Sequence, residues 1–500
     1  MNLELEKTLA EVRKAINKGV PGTLEKAFTQ SASAIQGITM YDLEPGARLL
    51  YPITTILRNM IPRRVGGEGI QANWRSITAV NPGLVPIGLE EGKRGGTMDQ
   101  TVTNNLAQFA FLGMDNSVTW QAQYAGEGFD DVLTLATTTL LQGTMEREER
   151  LILGGNALTK IGATGTISVT VNPTGGSLSK ASYFVGCAAL TYEGVTCSTP
   201  ASLVSAGNAV VKIPYTRNNA DGTTSAISGF FGTPSTHVAA TTLSGSSTQS
   251  VSASVPAVPN AWGYAWYFGL TGAEKLVAIT SINSVLIKTT APSSNQLYSA
   301  LGSSDVSTDG LVFDGLVAQA YHNGGYVTQL ATGTPGTGTH LTSGGSGSGS
   351  IAEFDTAITS FFNSYRLIPT HIFCSGADAV NIKALILNGN TNLAPFFMGD
   401  GSLSGGATWK RYTNPLGFGN QFLEIVVHPL MPQGTILFYS DRVPYVLSNV
   451  QDIVKMNLRR DYAAIRWPVT TLQYPIGVYF DGVLQHYFPS AMGIISNIAP

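Results

Sequence analysis

The chain has 500 residues, a net charge of -3 and 12% charged residues, about half of the ~25% that is usual for soluble proteins. This length suggests about three domains and a sizeable core, and the weak negative charge excludes a chain-wide basic surface for nucleic acid. Three cysteines, Cys187, Cys197 and Cys374, are too few for a disulfide framework, although a Cys187–Cys197 bridge is a disfavoured alternative.

The first residues do not follow the pattern of a signal peptide, because they are acidic where a basic end and an apolar run are needed. No apolar run reaches the ~18 residues that span a bilayer. The best candidate, 422–439, is interrupted by Glu424, His428 and Pro429. We therefore expect a soluble protein that folds in a reducing cytoplasm and has no membrane partner.

Residues 3–18 predict an amphipathic helix, since Leu5, Leu9, Val12 and Ile16 recur at helical spacing. This helix could pack on its own domain or dock on a neighbouring molecule, and the pattern favours neither.

Residues 61–119 alternate in the manner of β-strands, and the first strand is predicted to carry Ile70, Trp74 and Ile77 on one side. The apolar residues of the second strand are Val102, Leu106, Phe109, Phe111 and Val118. The pattern predicts a long two-stranded arm. Because an isolated hairpin is marginal in water, such an arm should lie on another surface.

A charged turn with several glycines, residues 88–96, connects these two strands. It carries Glu90, Glu91, Lys93 and Arg94. At the end of an arm that needs a partner, these charges predict ion pairs between subunits. The alternative is that they are solvated charges of an ordinary turn.

Residues 130–153 predict one long helix of roughly 36 Å. Glu146 and Arg150 are spaced to pair within it, and Gly154, Gly155 and Asn156 end it. A rod of this length predicts a structural spine.

Residues 161–292 are rich in Ser, Thr and Gly and carry few charges. Short alternating strands are predicted at 167–171, 182–190, 209–213, 262–268 and 276–282. Several short strands between turns predict a β-sandwich inserted into a host domain.

The rest of the chain mixes helices and strands. Residues 310–330 have an apolar strand pattern, 343–350 form a Gly/Ser loop, 369–440 read as an α/β module and 446–486 are rich in strands. Residues 353–365 predict a helix whose inward residues are Phe354, Ile358, Phe361 and Phe362.

No motif indicates catalysis, a cofactor or a bound metal. The six histidines lack metal-ligand spacing, and no phosphate-binding loop or nucleophile elbow occurs. Asp305, Asp309 and Asp314 could hold calcium, but Asp-Gly turns explain them better. We therefore predict a protein that is not an enzyme.

The order of arm, hairpin, long helix, α/β module and returning strands resembles the major capsid proteins of tailed bacteriophages with the Hong Kong 97-type fold. The long helix ends in Met145-Glu-Arg-Glu-Glu-Arg-Leu-Ile-Leu-Gly-Gly-Asn156. Three C-terminal segments also resemble that family's closing segment: 459–462, 465–468 and Tyr474-Pro-Ile-Gly-Val-Tyr-Phe-Asp-Gly-Val-Leu484. The resemblance covers the chain outside about 161–292.

The resemblance implies an α+β capsid fold with defined parts. These are an N-terminal arm (1–59), an extended loop (60–119), a peripheral domain (120–160, 293–365 and 446–500) and an axial domain (366–445). The insertion, 161–292, resembles the immunoglobulin-like domains that several such proteins display outside.

The implied function is self-assembly into pentamers and hexamers of an icosahedral shell around double-stranded DNA, which is contacted without sequence preference. The implied partners are a separate scaffolding protein, a portal and decoration proteins. Assembly is expected in the host bacterial cytoplasm, and the final location is the virion capsid. Some family members cross-link a loop lysine to a neighbour's asparagine, and Lys93 is suitably placed, but nothing identifies its acceptor.

Two alternatives remain from the sequence. An encapsulin-like nanocompartment shares the fold, although the long insertion counts against it. A surface adhesin or glycan-binding protein would explain the Ser/Thr/Gly-rich segment, but the absent signal peptide and the charged helix count against that function.

Overall fold

The computed structural model is a mixed α+β protein, as the sequence predicts. It describes residues 7, 10, 53–80, 87–127, 131–198, 209–241, 247–322, 324–345, 349–389, 410–417, 419, 422–443, 450–469 and 471–500. Most of the predicted arm, 1–59, and of its amphipathic helix, 3–18, lies outside these residues, although Lys7 and Ala10 are helical.

The chain divides into two units. One comprises Met1–Tyr51 and Gln121–Val132, and the other comprises Pro52–Trp120 and Leu133–Pro500. The second unit contains all the described sheets.

The helices are α1 (Ile56–Met60), α2 (Trp120–Gly126), α3 (Val132–Gly154), α4 (Tyr192–Cys197), α5 (Leu316–His322), α6 (Ala352–Tyr365) and α7 (Gly376–Gly389). The strands before residue 200 are β1 (Arg63–Val65), β2 (Gln71–Val80), β3 (Gln100–Gln108), β4 (Ala110–Thr119), β5 (Ser168–Asn172) and β6 (Ser182–Leu190). The strands between residues 200 and 300 are β7 (Tyr215–Asn218), β8 (Thr224–Ile227), β9 (Val238–Thr241), β10 (Ser250–Ser254), β11 (Gly263–Leu270), β12 (Lys275–Thr280) and β13 (Ser284–Ile287). The remaining strands are β14 (Tyr326–Gln329), β15 (His371–Cys374), β16 (Arg411–Thr413), β17 (Phe422–Val427), β18 (Ile436–Tyr439), β19 (Val454–Arg466), β20 (Gln473–His486) and β21 (Gly493–Ser496).

The long predicted helix is α3, which packs on one face of a four-stranded sheet of order β1-β19-β20-β4. Leu140 of α3 buries its side chain against Ile476 and Val478 of β20. The predicted pair also forms, with Arg150 Nη2 lying 3.0 Å from Glu146 Oε1. The helix and its pairing are therefore confirmed.

The predicted arm is shorter than the sequence indicates. Only β2 and β3 form a two-stranded antiparallel hairpin, whereas β4 pairs with β20 in the sheet under α3. The sequence cannot distinguish these cases, because a strand that continues an arm and a strand that joins a sheet have the same period of two.

Two antiparallel sheets, β13-β10-β5 and β12-β11-β6-β9, face each other across a common core. Trp266 of β11 and Val251 of β10 are both fully buried in it. The other face of the four-stranded sheet is also covered, because Tyr267 belongs to a second buried cluster that includes Phe231 and Leu301. The predicted strand 209–213 does not form a strand of either sheet.

A separate mixed sheet has six strands in the order β14-β21-β18-β15-β17-β16. Helix α6 packs on it through Phe361, which lies near Phe438 and Tyr326. The sheet joins strands of the predicted axial module to β14 and β21 from the segments on either side.

The apolar stretch 310–330 was predicted as strand but contains helix α5 and then β14. Leu316, Val317 and Ala320 are buried, which is helical spacing within a short apolar run. Short apolar runs fit both periods, and here the helix forms.

Candidate interaction surface

The described residues contain no group of three or more His, Cys, Asp or Glu side chains that could hold a metal. The three cysteines are free. The carboxylates of the aspartate cluster accept backbone N–H bonds instead: Asp305 from Ser307, Asp309 from Leu311 and Asp314 from Ala157. No helix in the described part of the chain is both long and apolar enough to cross a membrane.

The hairpin β2–β3 has an inner and an outer face. On the inner face Trp74 contacts Tyr487 edge to face at 6.2 Å, and the Ser76 hydroxyl donates to the Tyr487 carbonyl at 3.2 Å. On the outer face Ile77, its partner Val102 and Leu106 are 62%, 48% and 57% exposed. None of the described residues buries this outer apolar strip.

The prediction that Ile70, Trp74 and Ile77 share one side is wrong. Trp74 faces the body of the protein, whereas Ile77 is exposed on the opposite face. Residues three apart in a strand point to opposite faces because side chains alternate with a period of two.

The four predicted contact residues lie together at the end of the hairpin. Glu90, Glu91, Lys93 and Arg94 are all exposed, and the Lys93 N–H closes the turn on the Glu90 carbonyl at 3.0 Å. Gly92 has a φ of 78°, a conformation that suits glycine. None of the four forms an ion pair with another described residue. That they pair with a second subunit stays a prediction.

A second feature, two fully buried carboxylates on α3, was not predicted. Glu148 accepts bonds from Arg58 Nε at 2.9 Å, Arg63 Nη1 at 2.7 Å and the Tyr462 hydroxyl. Burial lowers the pKa of Arg63, but the charge of Glu148 and the bonds to Glu148 and Asp461 outweigh it, so the pKa is raised. Arg63 therefore stays charged beside its carboxylate.

The neighbouring carboxylate, Glu149, holds the start of α1. It accepts the N–H groups of Leu57 at 2.7 Å and Arg58 at 2.6 Å, which have no partner inside the helix. It also bonds His428 Nε2 at 2.7 Å. Because His428 Nδ1 accepts the Leu430 N–H at 3.2 Å, Nε2 carries the proton and donates to Glu149.

Together these bonds anchor the root of the hairpin. Helix α1 and strand β1 precede β2 directly, and both are tied to α3 through Glu148 and Glu149. Buried ionic contacts of this kind fix geometry, since removing one partner leaves an uncompensated charge. The root of the hairpin is thus held by buried bonds, while its apolar strip and charged tip are exposed among the described residues.

Comparison with known proteins gives a structural likeness only. No protein-family model and no curated protein matches the chain. The capsid of a native GTA particle matches with a TM-score of 0.41 and 7% identity, over 95% of this chain and 100% of that chain. A chain from Mycobacterium phage Bobi matches at 0.39 and 6%, over 91% and 95%. The capsid of Myoviridae phage XM1 matches at 0.37 and 8%, over 91% and 95%.

Proposed function

We propose that this chain is the major capsid protein of a tailed bacteriophage. It would assemble into pentamers and hexamers of an icosahedral shell that encloses double-stranded DNA. The observation that carries the proposal is the hairpin β2–β3, whose outer strip (Ile77, Val102, Leu106) is apolar and uncovered. Exposed apolar strips of this kind mark interaction surfaces, and a second copy of the chain is the partner in a closed assembly.

The parts of the chain take the roles that the family resemblance implies. The hairpin is the extended loop, residues 120–160 with 293–365 and 446–500 are the peripheral domain, and 366–445 are the axial domain. The inserted sandwich, which we take to be immunoglobulin-like, lies on the outside because an internal domain in every subunit would take volume from the DNA. A scaffolding protein, a portal and decoration proteins complete the particle.

The low charge of the chain agrees with this function. A shell needs only weak contact with packaged DNA, without sequence preference, and the net charge of -3 provides no chain-wide basic surface. Specificity then resides in the contacts between copies of the chain.

The test is to remove residues 90–94, which carry all four tip charges, and to examine the full chain by electron microscopy and sedimentation velocity. We expect closed shells from the parent chain and soluble, folded subunits from the variant, because the exposed tip contributes little to its own core. Normal shells from the variant would exclude the tip as an intersubunit contact.

A matched control removes residues 345–349 from the Gly/Ser loop. The flanking residues can be rejoined there, since the Gly344 N–H already bonds the Ser350 carbonyl at 2.9 Å. This variant should still form shells. Shells that contain protein cargo and no nucleic acid, measured by the absorbance ratio at 260 and 280 nm, would favour an encapsulin-like compartment instead.

A further inference from the structure

An aromatic cluster lies on the sheet face that points away from α3. Phe111 stacks on Tyr479 with ring centroids 5.3 Å apart and planes at 12°, and Trp467 meets the same ring edge to face at 6.2 Å. Phe111 is 63% exposed and Trp467 is 45% exposed. We call these three rings and the adjacent exposed Asp115 the aromatic platform.

The sheet leaves room for the ring of Tyr479 to lie against it. A Cβ atom at Gly113 or Gly477 would overlap the Tyr479 ring, so both flanking positions leave room for it. The Tyr479 hydroxyl donates to Asp115 Oδ1. Burial and this carboxylate raise the pKa of Tyr479 to about 12, so the hydroxyl keeps its proton. The platform therefore has a fixed shape and an exposed negative charge.

Ring faces beside a carboxylate attract a cationic side chain. The same part of the structure makes this contact repeatedly within the chain. Arg58 and Arg63 lie over Tyr462 at 5.1 and 5.3 Å, and Arg459 lies over Phe109 at 5.1 Å. No cation of the described residues lies over the three platform rings. The platform thus lacks the kind of partner that its neighbours have.

We propose that the platform binds the cationic tip of the hairpin, Lys93 and Arg94, from a second copy of this chain. Both tip residues are exposed and lack an ion pair among the described residues, and their charge complements Asp115. A chain's own tip cannot reach its own platform. Strand β3, which separates them, is 9 residues long and spans roughly 30 Å. This inference rests on the proposed function and names the surface that receives the hairpin.

The first experiment tests proximity between two chains. One full-length chain carries Arg94→Cys and a second carries Phe111→Cys, both in a Cys197→Ser background because Cys197 is the exposed native cysteine. The chains differ in tag length, are assembled together and are oxidised. We expect a disulfide-linked heterodimer in assembled particles and none in unassembled subunits.

The control pairs Arg94→Cys with Glu424→Cys, an exposed position on the six-stranded sheet, and should give no heterodimer. Equal cross-linking to both positions would overturn the proposal, because the contact would then be unspecific. Normal particles without a heterodimer would overturn it too, while leaving the proposed capsid function intact. A parent chain that forms no particles would overturn both.

The second experiment tests charge. Asp115→Lys should raise the protein concentration needed for half-maximal assembly roughly fivefold or more, since it places like charges together. Combining it with Lys93→Glu and Arg94→Glu should restore assembly towards the parent level. Failure of the combined variant to improve on Asp115→Lys, with all variants folded by circular dichroism, would contradict the proposed pairing.

Discussion

The buried carboxylates show what a sequence reveals at the scale of a residue. Thr144, Glu148 and Ile152 recur every four residues along α3 and all are buried, so the spacing alone places Glu148 on the core-facing stripe. Residue type indicates the opposite, because glutamate is almost never fully buried unless paired. The partners Tyr462 and His428 lie 314 and 279 residues away from their carboxylates, and no local pattern predicts such contacts.

Glu149→Gln should destabilise the subunit strongly. The amide supplies a donor where Leu57, Arg58 and His428 already donate, so at least one buried donor loses its acceptor. We expect a loss of roughly 3–5 kcal/mol in the free energy of unfolding, measured by denaturant titration. Glu146→Gln, which weakens the partly exposed pair with Arg150, is the control and should cost about 1 kcal/mol or less. Equal losses would contradict the larger contribution that we assign to the buried hydrogen bonds of Glu149.

His486 should make the subunit sensitive to acid. Burial lowers its pKa to about 3, and neither ring nitrogen has a hydrogen-bond partner within the described residues. The unfolded chain takes up a proton at the ordinary pKa of ~6.5 and the folded chain does not, so stability falls as pH drops from ~6.5 towards ~3. The loss should reach roughly 2 kcal/mol at about pH 5.

The measurement is the free energy of unfolding between pH 8 and pH 5. His486→Leu should flatten this dependence, whereas the exposed control His340→Asn should leave it unchanged. An unchanged slope in His486→Leu would assign the acid sensitivity to other groups.

At the scale of an element, the hydrophobic period and the length of a segment predict whether a helix or a strand forms. They predict less well which face each residue occupies. The strands of the hairpin, the helices α3 and α6 and the strand-rich character of 446–486, where β19 and β20 lie, were predicted from spacing and composition. The face of each hairpin residue was not, because one misassigned position inverts every side chain after it. The charged tip was predicted as an exposed turn, but its partner is a property of a second molecule.

Helix α6 provides a direct test of such assignments. The sequence predicts that Phe361 and Phe362 both point inward, but only Phe361 is fully buried, while Phe362 is partly buried with Arg366 over its ring at 5.5 Å. Phe361→Ala should therefore cost roughly 3–5 kcal/mol in unfolding free energy. Phe362→Ala is the matched control and should cost less than half as much. Similar losses from both variants would mean that the helix is rotated from its position here.

At the scale of the whole molecule, the contacts of the two facing sheets suggest a longer segment than composition predicts. The predicted boundaries, 161 and 292, mark where charged residues become sparse. Hydrogen bonds join the two ends of the segment further out, since the Asp309 N–H donates to the Asn156 carbonyl at 3.0 Å and Ile161 N–H to the Ser307 hydroxyl at 3.0 Å. Composition reflects which residues are tolerated at the surface, whereas a domain boundary depends on which backbone groups form hydrogen bonds with each other.

The buried residues of the segment also indicate that it ends beyond residue 292. Leu301 is buried against the four-stranded sheet, and Asn295 bonds the backbone of Ala209 and Leu276. Leu301 and Asn295 lie beyond 292, so a fragment that stops there loses part of the cover on one face of the sheet. Tyr192 and Trp262 also join the core of the remaining chain, which ties the sandwich to its host.

The fragment 156–309 should therefore fold on its own, and the fragment 161–292 should not. Both contain β5 to β13, but only the longer one keeps Leu301 on the face that carries Tyr267 and the bonds that close its ends. We expect dispersed amide NMR signals and a cooperative thermal transition from 156–309, with weak or absent cooperativity from 161–292. Replacing Leu301 by Ser in the longer fragment should lower its unfolding temperature, because this side chain covers the sheet. Cooperative folding of 161–292 with a similar transition temperature would show that residues 293–309 belong to the host domain and that the sandwich needs only its two sheets.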